Sequence, residues 1–147
     1  MAMRDPKKTI GNLIHKQKTV YISSVDEDGF PHIRAMLAPR VIEGIHTFYF
    51  STNTSSSKIA QYRREPKASI YFCDLRFFRG VMLMGVMEVL EDPETKKMIW
   101  ETGDRMYYKK GVGDPDYCVL KFTAFKGKYY SNFHTETFVI DKADKAL

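Results

Sequence analysis

From Thr19 onward the chain returns repeatedly to short runs of β-branched and aromatic residues, each closed by a turn signal. Such runs fit a pleated, half-buried surface and are poor helix formers. Thr19–Val25 (TVYISSV) is the first, and Asp26-Glu27-Asp28-Gly29 follows it as a hairpin turn, with Asp-Gly supplying the positive-φ residue. The next strand runs from Pro31 or His32 to about Val41, with Pro39 marking a bend or an edge position. Glu43-Gly44 turns the chain into Thr47–Ser51; later come Ala68–Cys73, the long run Arg79–Leu90, and Tyr117–Phe125. A turn at Gly127 then leads to Lys128–Phe133, and Thr137–Ile140 is a candidate for a last short strand. Six or seven short strands joined by tight turns, with a few helices between them, predict a mainly β fold, an antiparallel barrel.

Helical signals are few. Asp5-Pro6 places an N-cap and an N1 proline ahead of Ile10, Leu13 and Ile14, so a helix is expected within residues 1–18. Ser56 to Arg64 reads as a short helix ended before Pro66, and Asp92-Pro93-Glu94 opens another that runs to Trp100 or Glu101. Residues 103–116 are turn-rich, and residues 141–147 read as a loose tail. At 147 residues, with no composition break, the chain is expected to be one domain spanning 1–147. No apolar run is long enough to span a bilayer, and Met1–Lys8 leads into no apolar signal core. Cys73 and Cys118 form no CxxC motif and read as reduced thiols, so the expected location is cytoplasmic, with no membrane partner. Asn53-Thr54-Ser55 matches a glycosylation sequon that has no use in that compartment.

The stretch Phe50-Ser51-Thr52-Asn53-Thr54-Ser55-Ser56-Ser57-Lys58 is the richest in chemistry. A strand ends in hydroxyl residues and runs straight into a helix. A helix N-terminus presents unpaired backbone N–H groups and the positive end of the dipole, which together favour a phosphate. Thr52, Ser56 and Ser57 add hydroxyl donors, and Lys58 adds a full charge on the first turn. A lysine there opposes the dipole unless an anion is present. Arg34, on the preceding strand, can reach the same anion with its planar fork. The alternative for each is structural: a serine N-cap with an incidental lysine, and an exposed cross-strand arginine. The net charge of +5, scattered along the chain, suits an anionic ligand.

Other motifs carry less. Asp26–Gly29 lacks the later acidic ligands of a calcium loop, and His15, His32, His46 and His134 have no partner at metal-ligand spacing, so no metal site is expected. Gly111-Val112-Gly113 follows no strand, and there is no P-loop, GxSxG or HExxH. Lys126-Gly127-Lys128-Tyr129-Tyr130 mixes basic and aromatic residues as single-strand-binding barrels do, which keeps open a non-catalytic nucleic-acid module, although a plain hairpin accounts for it more simply. The methionines, Met82, Met84 and Met87 among them, read as core filler.

With these residues in order, the chain resembles the pyridoxamine 5'-phosphate oxidase-like FMN-binding split-barrel family, in its small bacterial branch of general stress proteins. The resemblance spans roughly Thr19 to Tyr130. It rests on Asp26 to His32, Arg34-Ala35-Met36, Phe50-Ser51-Thr52 with Ser57-Lys58, Arg64-Glu65-Pro66, Ala68 to Phe72, and Gly85-x-x-Glu88-Val89. It implies an antiparallel split β-barrel forming a homodimer, with FMN at the subunit interface. Arg34 and Lys58 would hold the phosphate, assisted by Ser56 and Ser57. The backbone of Ala35, Met36 and Leu37 would line the isoalloxazine, and Ser51 and Thr52 would reach the flavin or its ribityl chain. The expected activity is a flavin-dependent oxidoreductase or stress-related flavoprotein acting on a small redox substrate. The resemblance assigns no catalytic side chain. Ser57 stands where the oxidase commonly has a second basic residue, and the oxidase's C-terminal substrate-binding segment is not recognisable, so vitamin B6 oxidation is not implied. A related barrel holding haem or a deazaflavin is the other alternative.

Overall fold

The computed structural model describes residues 6–141. The expected N-cap Asp5 and the tail beyond Asp141 lie outside them. Three α-helices and eight strands follow in the order α1 (Pro6–Lys16), β1 (Thr19–Val25), β2 (Pro31–Leu37), β3 (Val41–Glu43), β4 (Thr47–Asn53), α2 (Ser57–Arg64), β5 (Lys67–Asp74), β6 (Arg79–Leu90), α3 (Pro93–Ile99), β7 (Tyr117–Ser131) and β8 (His134–Val139). Two short 3-10 turns, Thr102–Met106 and Gly111–Gly113, fill the stretch before β7. Every strand pairing is antiparallel.

The strand order is β2-β1-β5-β6-β7-β4-β3, with β8 also on β7. Laid flat, β2 and β3 would stand six strand spacings apart, about 29 Å. Yet only residues 38–40 join them, a reach of at most about 14 Å. The sheet must therefore roll until its two ends are close. Ala38 donates its N–H to Lys18, on the β1 side, while Arg40 donates to Tyr49 of β4, so the chain changes neighbours across Pro39. That exchange is why the long strand expected from Pro31 to Val41 is in fact two. Inside the roll, Phe48 of β4 and Phe72 of β5 bring their rings to 5.7 Å although two strands lie between them in the sheet.

The inward file repeats every second residue: Val20, Ile22 and Ser24 on β1, Ile70 and Phe72 on β5, Leu120 and Phe122 on β7. The first half of β7 is buried on both faces, because Tyr117 and Val119 pack outward under Ile99, Tyr108 and Trp100. β7 also corrects a sequence expectation. Gly127 is not a turn: the strand runs unbroken from Tyr117 to Ser131. A Cβ at Gly127 would meet Phe138 Cζ at 2.5 Å and Met82 O at 3.0 Å, so the glycine permits a close crossing of strands. The reversal comes later, at Asn132 and Phe133, both with positive φ, and β8 is His134–Val139 rather than Thr137–Ile140. The other signals hold closely. Asp26 accepts the N–H groups of Asp28 and Phe30 in the first hairpin, and Asp92 caps α3 by accepting from Thr95 N at 3.0 Å.

One seam of the barrel is short. β1 and β5 pair only at Tyr21–Tyr71 and Ile22–Ile70. At the next position Ser69 N–H bonds the Ser23 hydroxyl instead of the backbone, at 2.8 Å. Helix α2 takes over there: Tyr62 Oη donates to Ser23 O at 2.7 Å, and Arg64 donates to Val25 O at 2.8 Å.

Candidate functional site

β2 alternates, with Arg34 and Met36 partly buried and Ile33, Ala35 and Leu37 exposed. Arg34 therefore turns inward. Its Nη2 donates to the Ser24 hydroxyl at 2.8 Å, and Ser24 donates in turn to Gln61 of α2. Its Nη1 is buried with no hydrogen-bond partner.

Lys58, Gln61 and Tyr62 share one face of α2 by their three- and four-residue spacing. Lys58 is only 6% exposed. Its Nζ donates to the Ser56 hydroxyl at 2.8 Å. Ser56 is the N-cap of α2 by conformation, yet its side chain makes no cap bond. Burial holds the Lys58 ammonium below the usual lysine range, and the Arg34 guanidinium beside it pushes in the same direction.

Among the described residues, neither of these two cations takes part in an ion pair with a carboxylate. Tyr62, next to Arg34, is pushed up to about 12 by burial, so it is a neutral phenol. Burial likewise raises the Cys118 thiol. A buried, unpaired guanidinium N–H beside a buried lysine is costly unless an anion completes the site. The N–H groups of Ser57 and Lys58, at the start of α2, lie at the same corner, while Ile59 N–H is taken by Ser56 O. Such a donor set suits an anion, and a phosphate monoester could be held by it.

Some expected site residues converge here and others do not. Arg34, Lys58 and Ser56 are brought together. Ser57 is exposed on the helix. Thr52 is buried on the inward file with Phe48 and Phe50, while Ser51, half-buried, faces the opposite side of β4. Ala35 and Leu37 are exposed and Met36 packs against the core. As β2 ends the sheet, its outer backbone edge is open to a ligand. The sequence reading missed Ser24, Gln61 and Tyr62. Ser24 carried a signal: it is a polar residue in phase with Val20 and Ile22, on the face where only apolar residues belong. Among the described residues, no group of three or more His, Cys, Asp or Glu is placed to hold a metal ion.

A sequence model of the family described as pyridoxamine 5'-phosphate oxidase matches residues 6–131. The chain belongs to that family of split barrels. The family match contains both cations and the whole of the corner between them. Among solved structures, the chain is similar to a Clostridium acetobutylicum protein described as related to general stress protein 26 of B. subtilis, of the pyridoxinephosphate oxidase family. The two share 36% identity over 94% of this chain and 99% of that one, with a TM-score of 0.84. It shares its fold with a pyridoxamine 5'-phosphate oxidase-related, FMN binding protein of Nostoc punctiforme, at 12% identity over 96% and 100% of the chains, TM-score 0.69. It also shares its fold with a heme binding protein of Mycobacterium smegmatis, at 13% identity over 95% of this chain and 60% of that one, TM-score 0.75. No curated protein matches the chain.

Proposed function

We propose that this family member binds FMN, with the phosphate held between Arg34 and Lys58, and acts as a flavin-dependent oxidoreductase of the general stress protein type. One observation carries the reading: among the described residues, Arg34 Nη1 is buried without a partner beside a buried lysine that pairs with no carboxylate. Arg34 Nη1, Lys58 Nζ and the Ser56 hydroxyl supply charged and neutral donors, and the start of α2 adds backbone N–H groups. Ser24 and Gln61 hold the guanidinium in place through its other nitrogen. The open edge of β2 at Ala35, Met36 and Leu37 would line the ring, and Ser51, Thr52 and Ser57 are the remaining polar contacts of the reading. When bound, FMN supplies the redox chemistry, and the protein contributes position, charge and shielding. Haem also brings anions, its two propionates, that could meet these cations, and a visible spectrum separates it from FMN. The reduced thiols Cys73 and Cys118 suit a cytoplasmic setting; among the described residues, no helix is long and apolar enough to cross a membrane.

The reading includes a homodimer. The outward face of β2-β1 exposes Ile33 at 73% and Leu37 at 71%, next to the Tyr21–Tyr71 cross-strand pair, and Leu75, in the turn just past β5, is 78% exposed. Tyr21, Ile33, Tyr71 and Leu75 also line an open cavity of about 580 Å³. A contiguous apolar face of this kind on a small barrel calls for a covering surface, and a second copy of the same face is self-complementary.

The test is a visible spectrum of the purified protein, followed by titration of the stripped protein with FMN and a mass measurement in solution. Flavin absorbance that survives gel filtration, saturable FMN binding and a mass near twice 17.1 kDa are expected. A haem Soret band, or no FMN binding at all, would refute the cofactor assignment, and a monomer at micromolar concentration would refute the dimer.

A further inference from the structure

The corner that turns β4 into α2 is held mostly by bonds from outside it. Asn53 and Ser55 are exposed, and the turn's own bond is Ser56 N–H to Asn53 O, at 3.1 Å. The rest comes from residues more than sixty positions away. Asp116 Oδ1 accepts Ser55 N–H at 2.8 Å, and Asp116 Oδ2 accepts the Asn53 side-chain amide at 3.0 Å. The Asp116 carbonyl accepts Thr54 N–H at 2.8 Å, and the Thr54 hydroxyl donates to Pro115 O at 3.1 Å.

We propose that Asp116 is a positioning residue of the phosphate site: its carboxylate fixes the Asn53–Ser55 turn and, through it, aims the start of α2 and the Ser56–Lys58 pair at the anion. The proposal rests on the phosphate reading above. The β4–β7 ladder ends at Asn53–Tyr117, so Asp116 is the first residue beyond it. It continues the pairing with its backbone carbonyl, which takes Thr54 N–H, and with its side chain, which takes Asn53 and Ser55. Asp116 is itself held, its N–H donating to Asp114 Oδ1 at 2.9 Å. Asp114 O accepts Lys96 Nζ at 3.0 Å, which anchors this loop to α3. The carboxylate's acceptor capacity goes to the turn, and it forms no ion pair with Lys58 or Arg34 among the described residues. The barrel does not depend on it, because the seven ladder pairs from Thr47–Thr123 to Asn53–Tyr117 remain without Asp116.

The test compares FMN with riboflavin, which is the same flavin without the phosphate. In the stripped protein, the dissociation constants of both are measured by flavin fluorescence for wild type, Arg34→Ala, Asp116→Ala and Asp116→Asn. Wild type is expected to prefer FMN, and Arg34→Ala to lose that preference. Asp116→Ala is expected to weaken FMN about 10- to 100-fold, the range of one hydrogen bond to a charged group, and riboflavin less than about twofold. Asp116→Asn is expected to recover part of the loss, since its amide oxygen can still accept Ser55 N–H. It also serves as the test variant if the alanine protein does not fold. A wild type without preference for FMN overturns the phosphate site and this proposal together. If Arg34→Ala loses the preference and the Asp116 variants keep it, or weaken FMN and riboflavin equally, the positioning role alone is wrong.

Discussion

Replacing Lys58 by methionine should move stability and ligand affinity in opposite directions. Methionine has nearly the length and volume of the lysine stem, so packing around Ile59 and Tyr62 is preserved. What goes is the charge of a residue only 6% exposed, next to Arg34 and, among the described residues, hydrogen-bonded to a serine hydroxyl rather than paired with a carboxylate. Replacing an uncompensated buried charge by an apolar group is stabilising by about 1 kcal/mol or more, which for a chain of this size raises Tm by about 2–4 °C. The same change removes a charged hydrogen bond to phosphate, a loss of about 1.5–3 kcal/mol in FMN affinity, or about 10- to 150-fold in Kd. Thermal unfolding with and without FMN reads both effects. At an FMN concentration 100 times the wild-type Kd, wild type gains about 2.7 kcal/mol. At that same concentration Lys58→Met should gain only about 0.3–1.4 kcal/mol. A variant that is less stable without ligand and keeps the full FMN-induced shift would show that Lys58 is a structural residue and that the anion reading is mistaken.

The buried pair between Arg40 and Asp104, bonded at 2.6 and 2.9 Å with Asp104 only 4% exposed, clamps the 3-10 turn to the barrel. The Arg40 guanidinium holds the Asp104 carboxyl below the usual carboxylate range. The unfolded chain therefore binds this proton more tightly than the folded one. The stabilisation is whole above about pH 5 and fades as pH falls through about 4 and below. Asp104→Ala should cost about 3 kcal/mol in denaturant unfolding at pH 7 and flatten the acid limb, and an unchanged acid limb would contradict the assignment. Two glycines should differ in a predictable way. At Gly127 the nearest obstacle is the end of the Phe138 ring, which can swing aside, so Gly127→Ala should cost about 1–3 kcal/mol. At Gly85, beside the register shift between β6 and β7, an added Cβ would overlap the Thr123 carbonyl, which is backbone. Gly85→Ala should cost more than Gly127→Ala, by chevron or equilibrium unfolding, and the reverse order would mean the bulge is more yielding than the strand crossing.

Local chemistry made much of this fold legible. The limits of β1 and β6, the Asp-Gly hairpin and the Asp92-Pro93 cap all rest on interactions within a few residues, and the structure has them where the sequence put them. The errors came where a distant strand decides. Gly127 looks like a turn residue until Phe138 and Met82 cross above it, and Pro31 to Val41 looks like one strand until Ala38 and Arg40 are seen bonding to opposite ends of the sheet. The site follows the same division. Arg34 and Lys58 were readable because charges in a strand and at a helix start are conspicuous. Gln61 and Tyr62 were not, because their partners Ser24 and Ser23 lie thirty-seven and thirty-nine residues earlier. Whether Ser51 or Thr52 faces inward depends on the phase of β4, which the buried Phe48 and Phe50 set.

The short seam between β1 and β5 is what brings the two cations together. A continuous ladder there would leave no room for a helix and would satisfy the β1 carbonyls from β5. Because the ladder stops after Ile22, the carbonyls of Ser23 and Val25 need other donors, and buried carbonyls without them are expensive. Tyr62 and Arg64 supply those donors, which fixes α2 across the seam in one orientation. Lys58, one turn before Tyr62 on the same face, is then carried to the inner side of β1 and β2, where Arg34 reaches Ser24. The backbone requirement and the ligand site thus share one helix. Loss of the Tyr62 hydroxyl should accordingly loosen both, so Tyr62→Phe should weaken FMN without touching it.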